Sequence, residues 1–164
     1  YIMIEENYRI GHGYDVHKLQ RGEKFMIGGI EINHDKGAVG HSDADIAIHV
    51  ICDSILGAVS EGDIGKHFPD TDEKYKGVDS KELLTEVMKI LKKKSFEVNN
   101  IDVTVLLQKP KLRNHIEKMI DTLSSVMKID KKKLSIKATT TEGLGFVGRE
   151  EGVAAHCITL IKKI

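Results

Sequence analysis

Two residues near the start of the chain, Asp15 and His17, set a carboxylate and an imidazole two positions apart. On a β-strand, positions i and i+2 share a face, so both side chains project the same way. The alternation of residues 9–17 supports a strand there: Ile10, His12, Tyr14 and Val16 take one face, and Arg9, Gly11, Gly13, Asp15 and His17 the other. The small Gly11 and Gly13 leave room for a ligand beside the pair. A D-x-H pair is common, and on its own it is equally a surface carboxylate beside a packed histidine. A second segment adds weight to the metal reading. Residues 42–59 are apolar almost all round, as in a buried helix, except for Asp45, His49 and Asp53, which recur every four residues in one polar stripe. Buried ionisable groups need partners or a metal. The stripe is therefore either a hydrogen-bonded Asp-His-Asp ladder or a metal ligand, His49, held by carboxylates behind it. Two histidines and one carboxylate with a fourth position open have the composition of a catalytic zinc site rather than a closed structural one.

Three further segments carry polar groups suited to phosphate. His41 and Ser42 stand where a helix is expected to begin, and free N–H groups there attract anions; Ser42 reads equally as a plain N-cap with Asp45 at the third helical position. The run Ala138-Thr139-Thr140-Thr141-Glu142 ends a strand and offers hydroxyls and a carboxylate to a diphosphate and a hard cation, though threonine also suits a strand by propensity alone. The loop from Gly62 to Asp72, dense in turn formers and acids, is either a functional loop over a pocket or ordinary surface.

The elements that must position these groups follow from hydrophobic period. Phe25–Asn33 reads as a second strand or hairpin arm with Gly28-Gly29 as a kink. After the helix at 42–59, Asp79 or Ser80 caps an amphipathic helix using Leu83, Leu84, Val87, Ile90 and Leu91. Ile101–Leu107 is a strand, a third helix runs from Leu112 to Lys128, and Leu134–Thr139 and Gly152–Ile161 are strands joined through a Gly-rich loop at 143–148. The order β-β-α-α-β-α-β-β predicts a single α+β domain, a mixed β-sheet with helices layered on one face. Its other face needs covering too, and self-association would cover it.

Bulk composition excludes other classes. The chain of 164 residues carries zero formal charge, with 25 basic and 25 acidic residues, which argues against a nucleic-acid binder relying on electrostatics. No apolar run approaches the length of a membrane span. Cys52 and Cys157 lack the spacing of a zinc knuckle or redox pair and read as reduced core residues. A chain that opens at Tyr1 rather than Met reads as one trimmed from a longer precursor.

Five ordered motifs, R-I-G-H-G-Y-D-V-H at 9–17, H-S-D-A-D at 41–45 with His49 following, G-D-I-G-K-H-F-P-D-T-D at 62–72, Q-K-P-K-L at 108–112 and T-T-T-E-G-L-G-F-V-G-R-E-E-G at 139–152, give the chain its resemblance to the 2-C-methyl-D-erythritol 2,4-cyclodiphosphate synthase family of the non-mevalonate isoprenoid route. The resemblance covers Arg9 to Ile161; it sets residues 1–8 apart as an extension or processing remnant and makes 9–164 one domain. It implies an enzyme that closes a cyclic diphosphate and releases CMP. Asp15, His17 and His49 would bind Zn2+, and Glu142 a second ion, Mg2+ or Mn2+. His41 and Thr140 would stabilise charge in the transition state. Val16, Ser42, Thr139 and Thr141 would line the substrate, Ser42 and Thr139 contacting its oxygens, with Asp45 and Asp53 supporting the metal ligands from behind. Asp63, Ile64 and Gly65, with Phe68, Pro69, Asp70, Thr71 and Asp72, would form a lid over the methylerythritol part. Leu107, Gln108, Lys109, Pro110, Lys111, Leu112 and Arg113 would form a cytosine pocket contributed by a neighbouring subunit of a homotrimer. Tyr14, Phe146, Arg149 and Glu151 would line a cavity on the threefold axis. Tyr14 departs from the family's frequent Phe, which alters the polarity expected of that cavity. The route runs in bacterial cytoplasm and in plastid-type organelles, and the missing Met leans the expectation towards an organelle. Two other activities fit the same residues, a zinc-dependent phosphohydrolase and a non-catalytic trimeric sensor of isoprenoid diphosphates.

Overall fold

The computed structural model describes residues 7–164. Residues 1–6, most of the expected extension, lie outside them. The first strand, β1 (Tyr8–Arg21), already includes Tyr8, and the carbonyl of Asn7 accepts from Lys163 N–H at 2.8 Å.

The stretch read as one kinked strand or hairpin arm is instead a complete hairpin of two short antiparallel strands, β2 (Phe25–Ile27) and β3 (Ile30–Ile32), and β4 (Lys36–Ala38) follows. Gly28 and Gly29 are the two central residues of its tight turn, with φ of 63° and 77°, a pair of positive values that only glycine adopts without strain. After α1 (Ile46–Ala58) and the single turn α2 (Ile64–His67) come α3 (Ser80–Lys93), β5 (Phe96–Leu106), α4 (Ile116–Met127), β6 (Leu134–Thr139), the short α5 (Gly145–Gly148) and β7 (Gly152–Lys163). The sheet order is β4-β1-β7-β5-β6, with β5–β6 parallel and the other pairs antiparallel. This is the expected α+β domain with a mixed sheet. Helices α1 and α4 pack on one of its faces, and α3 packs against both.

Three expectations need correcting. Ser42 does not cap α1. Ala44 adopts a left-handed φ of 57°, which interrupts any helix before it, and Asp45 becomes the cap, accepting from Ile48 N–H at 3.1 Å. The same buried carboxylate accepts from Gly28 N–H at 2.9 Å and Gly29 N–H at 2.6 Å, so it ties the hairpin turn to the helix start. Nor is there ligand space beside Gly11 and Gly13. A Cβ on Gly11 would lie 1.7 Å from the Ser54 carbonyl oxygen, and one on Gly13 would lie 2.1 Å from that of Val50. The space is filled by the backbone of α1 itself. The Gly-rich stretch 143–148 also folds into α5 rather than remaining loop.

The core lies between sheet and helices. Ile46, Ile48, Ile51, Ile55 and Leu56 of α1 are fully buried against Val103, Val105, Cys157 and Ile161 of the sheet and Leu84 and Leu91 of α3. Both cysteines are free and buried, as expected. The opposite face of the sheet is open: Tyr8, Ile10, Tyr14 and Ile158 are 58%, 68%, 51% and 49% exposed.

The glycine track on β1 yields a direct test. Gly13→Ala forces α1 off the strand, an overpacking cost of about 3 kcal/mol. The melting temperature should then fall by about 6–12 °C in a chain of this size. A drop under about 2 °C would show that the helix can shift freely.

Candidate active site

Asp15 and His17 sit on the inward face of β1 just beyond the glycines, and His49 stands on the first turn of α1 that crosses them. Close packing of helix on strand brings three acceptor atoms together. Asp15 Oδ2 lies 3.2 Å from His17 Nε2 and 3.2 Å from His49 Nδ1, and the two ring nitrogens are 3.0 Å apart. The rings meet edge to face at 84°. A tetrahedral divalent cation about 2.0–2.1 Å from each ligand places the ligand atoms about 3.3–3.4 Å from one another, close to the triangle seen here. His, His and carboxylate are also the donor set such an ion takes. The residues therefore fit a metal, and they are the group of metal-ligating side chains that converges among the described residues.

The far side of His49 departs from expectation. Its Nε2 faces Ser42 Oγ at 3.0 Å and Ser80 Oγ at 3.2 Å, and Ser80 in turn donates to Asp43 Oδ1 at 2.5 Å. The Asp45 carboxylate, occupied with three backbone N–H groups, makes no hydrogen bond to the His49 ring. Asp53 is committed to Ile64 N–H at 2.8 Å, fastening the start of the 62–72 loop to the helix that carries His49. The carboxylate linked to the histidine is thus Asp43, through Ser80. Sequence reading passed over both in this role, because Ser80 is 31 residues away in the chain and its only local signal was that of a helix start.

Around the triad opens a cleft of about 420 Å³, walled by Asp15, His17, His41, Ser42, His49 and Asp53 and by Asp63, Ile64, Gly65, Phe68 and Asp70 of the loop. Tyr75, Val78 and Leu83 complete it; they carried no sequence signal beyond apolar character. His41 Nε2 is buried without a hydrogen-bond partner among the described residues, which leaves it available to an incoming acceptor. Of the other loop positions, Pro69, Thr71 and Asp72 do not wall the cleft; Asp72 caps a following turn through Lys74 N–H.

A second cleft, of about 720 Å³, is lined by Leu107, Pro110, Lys111, Leu112, Arg113, Thr139 and Thr140 among others. Gln108 Oε1 accepts from Gly143 N–H at 3.4 Å, and Thr140 Oγ1 from Glu142 N–H at 3.3 Å, so the Glu142 turn borders these segments. The Glu142 backbone is left-handed, at φ 54°, and its carboxylate is exposed. The two clefts share no lining residue. Val16 is exposed on the outer face of β1, and Lys109 pairs with Glu150 at 3.4 Å. Thr141 Oγ1 donates to Leu144 O at 2.6 Å. Arg149 forms a two-pronged ion pair with Glu151, at 3.0 and 3.1 Å, while Phe146 and Tyr14 are exposed, the latter tilted against the His156 ring with centroids 4.7 Å apart on the open face.

Residues 8–162 match the YgbB family. Among curated proteins, the chain is 54% identical over 155 residues to the 2-C-methyl-D-erythritol 2,4-cyclodiphosphate synthase of Alkaliphilus oremlandii, covering 94% of this chain and 99% of that one. It is 55% identical over 153 residues to the synthase of Clostridioides difficile, covering 93% and 95%. Among solved structures it resembles the bifunctional IspDF of Campylobacter jejuni, with TM-score 0.92 and 38% identity over 96% of this chain, spanning 42% of that longer one. A CDP complex of IspF from Plasmodium falciparum superposes with TM-score 0.85 at 34% identity, covering 96% and 97%.

The electrostatics of the triad make the metal-free protein acid-sensitive. Burial pushes the His17 imidazole below its ordinary 6.5, with the Asp15 charge opposing and His49 reinforcing. For Asp15, burial alone would raise the carboxyl, but the adjoining His49 and His17 rings outweigh it and hold it below 3.8. As pH falls below 6.5 the unfolded chain takes up a proton at His17 before the folded one does, so this contribution to stability is present above 6.5 and lost towards the lower folded value. Asp15 works in the same sense further down, its contribution lost as pH falls through its depressed value. Chelator-treated protein should therefore melt progressively lower from pH 7 to pH 5, and His17→Gln should flatten that slope. Parallel profiles for the two proteins would refute the assignment.

Proposed function

The chain belongs to the YgbB family, and from that membership we propose that it converts 4-diphosphocytidyl-2-C-methyl-D-erythritol 2-phosphate to 2-C-methyl-D-erythritol 2,4-cyclodiphosphate and CMP, in the isoprenoid precursor pathway. The observation that carries the reading at the level of chemistry is the convergence of Asp15, His17 and His49 at the floor of a cleft. The bacterial sources of the curated relatives favour the bacterial-cytoplasm reading, and none of those relatives supports a plastid. No helix among the described residues is long and apolar enough to cross a membrane.

In this reaction an oxygen of the 2-phosphate attacks the β-phosphorus, the bond from that phosphorus to the oxygen bridging it to the α-phosphate breaks, and CMP departs with the electron pair. The enzyme is in that sense a phosphorus–oxygen lyase. The nucleophile is already an anion, so no side chain is needed as a base. Asp15, His17 and His49 would hold Zn2+, and Glu142 a Mg2+ or Mn2+. When bound, such ions neutralise phosphate charge and polarise the transferring phosphoryl group. The protein's own task is to fold the substrate so that its two ends meet, a proximity effect of several kcal/mol. His41 Nε2, buried and unpartnered at the cleft, and Thr140 are suited to donate to oxygens where charge develops. Ser42 and Thr139 would contact phosphate or erythritol oxygens. The 62–72 loop would close over the methylerythritol, with Phe68 excluding water, and Leu107–Arg113 would take the cytosine.

The same reading makes the working form a homotrimer. The metal triad and the Thr139–Glu142 and Leu107–Arg113 segments face different clefts of one chain, and the outer face of the sheet exposes Tyr8, Ile10, Tyr14 and Ile158. Both features are explained if copies pack through this face, each lending its second cleft to a neighbour's triad. Tyr14, Phe146, Arg149 and Glu151 would then line the threefold axis.

Phosphorus NMR of the product decides the chemistry. The cyclic diphosphate with equimolar CMP is expected, whereas linear phosphates would indicate a hydrolase and no product a sensor. His49→Ala should lose zinc and turnover together; zinc retained with normal CMP release would remove it from the ligand set. Assembly is tested separately. Ile158→Glu should convert the trimer seen by native mass spectrometry to monomer and reduce turnover by more than about tenfold while circular dichroism is unchanged, since burying an unpaired carboxylate costs several kcal/mol. A fully active monomer would show that one chain holds a complete site.

A further inference from the structure

The hydrogen-bond chain behind His49 has a direction at Ser80, and that direction favours a proton on the ring nitrogen facing it. Ser80 is fully buried at the first position of α3, and its hydroxyl lies 2.5 Å from Asp43 Oδ1. A carboxylate can only accept, so the single hydroxyl proton of Ser80 is committed to it. Towards His49 Nε2, 3.2 Å away, Ser80 Oγ can then only accept. A neutral imidazole that donates from Nε2 satisfies this acceptor, and its Nδ1 then presents a lone pair to Asp15 Oδ2 and His17 Nε2. Ser42 Oγ, 3.0 Å from the same Nε2, fits this arrangement as a further acceptor. Asp43 is itself held in place. Its Oδ2 accepts from Ser80 N–H at 3.1 Å and its Oδ1 from Asp45 N–H at 3.1 Å, while its own N–H bonds the Val78 carbonyl at 3.1 Å.

We propose that Ser80, backed by Asp43, is a positioning residue for the cation. It fixes His49 in the Nε2–H tautomer, so that the lone pair of Nδ1 points into the triad before any ion arrives. Without that chain the ring has a competing choice, since Nδ1–H would donate to Asp15 Oδ2 only 3.2 Å away, closing the site with an internal hydrogen bond and removing one ligand. The relay also connects two functions. The residues just before Ser80 end the segment that carries the loop, and they are pinned to the His41–Asp43 stretch by Gly77 N–H to His41 O at 2.8 Å and by the Val78 bond. At the loop's other end Ile64 N–H bonds Asp53, one helical turn after His49. Both loop anchors therefore rest on the segment 41–53 that orients the metal ligand.

This inference rests on the metal reading above, and the test separates the two. Zinc affinity of the full chain is measured by competition with a chromophoric chelator, and the tautomer of His49 in the metal-free protein by long-range proton–nitrogen NMR. Wild type should show the Nε2–H form. Ser80→Ala should bind zinc about 10–100-fold more weakly, the usual loss when a ligand's outer partner is removed, and should show an Nδ1–H component. Ser80→Thr, which keeps the hydroxyl, should restore both readouts, a rescue that a purely structural role for the serine does not predict. Asp43→Asn provides a second variant with the same expected direction should Ser80→Ala not fold. Zinc affinity of Ser80→Ala within twofold of wild type, or an Nδ1–H tautomer in wild type, overturns the proposal. If wild type binds no zinc at all, the metal reading fails, and the tautomer measurement still decides the orientation.

Discussion

The contact between the backbone of α1 and the glycine track of β1 is the constraint on which the rest depends. An ordinary helix–sheet contact is spaced by side chains on both surfaces. Here Gly11 and Gly13 have none, and the Ser54 and Val50 carbonyls occupy the positions where Cβ atoms would be. Two residues further along the same strand face, that close approach leaves Asp15 and His17 within about one ligand radius of His49. The three acceptors then converge by the geometry of packing rather than by long, adaptable side chains. Three groups with lone pairs thus face one point, and burial on the helix side limits the access of water to it. A tight helix–strand contact of this kind therefore builds a site whose donor set fits a cation.

Much of this was legible before any coordinates. Asp15 and His17 share a strand face because the strand period is two, and His49 belonged to a polar stripe on an otherwise apolar helix. Those local rules placed the three side chains on the strand and helix that bring them together. The mixed sheet with helices on one face also followed from element order, as did the free, buried state of Cys52 and Cys157. What was misread is equally physical. Gly11 and Gly13 look the same in sequence whether a ligand or another backbone fills the space beside them. Ser42 has the chemistry of a cap, but the left-handed Ala44 behind it moves the helix start to Asp45. Asp45, His49 and Asp53 form a periodic ladder on paper, yet each carboxylate is drawn to backbone N–H groups outside the helix: Asp45 to Gly28 and Gly29, Asp53 to Ile64. Backbone donors compete for a buried carboxylate, and periodicity does not report them.

The partners that could not be read locally are those made by long-range folding. Ser80 and Asp43 lie 37 residues apart and meet only because the chain between them returns to the start of α1. Thr139 and Thr140 join Leu107–Arg113 because β5 and β6 are parallel neighbours, with Leu106 opposite Thr139. That pairing aligns the ends of two strands and the loops that leave them, so that a threonine run unremarkable by itself borders a pocket. Neither grouping was read from the sequence. The fold shows the mechanism of the grouping, which is strand register in one case and a loop pinned at both ends in the other.

Separation of the two clefts on one chain has a consequence for how such a site can be built. A diphosphate substrate with a nucleotide at one end and a phosphorylated polyol at the other needs cation ligands and nucleotide contacts on opposite sides of the reacting phosphorus. One chain of this size places its acceptors on the β1 side of the sheet and its threonines and nucleotide-sized cleft towards the β6 edge, with β7 and β5 between them. Bringing them together within the chain would require bending the sheet through its own packed core. Bringing them together between copies requires only that the exposed outer face be covered, which its apolar residues favour in any case. In the proposed trimer, burial of that face and completion of the site would be one event.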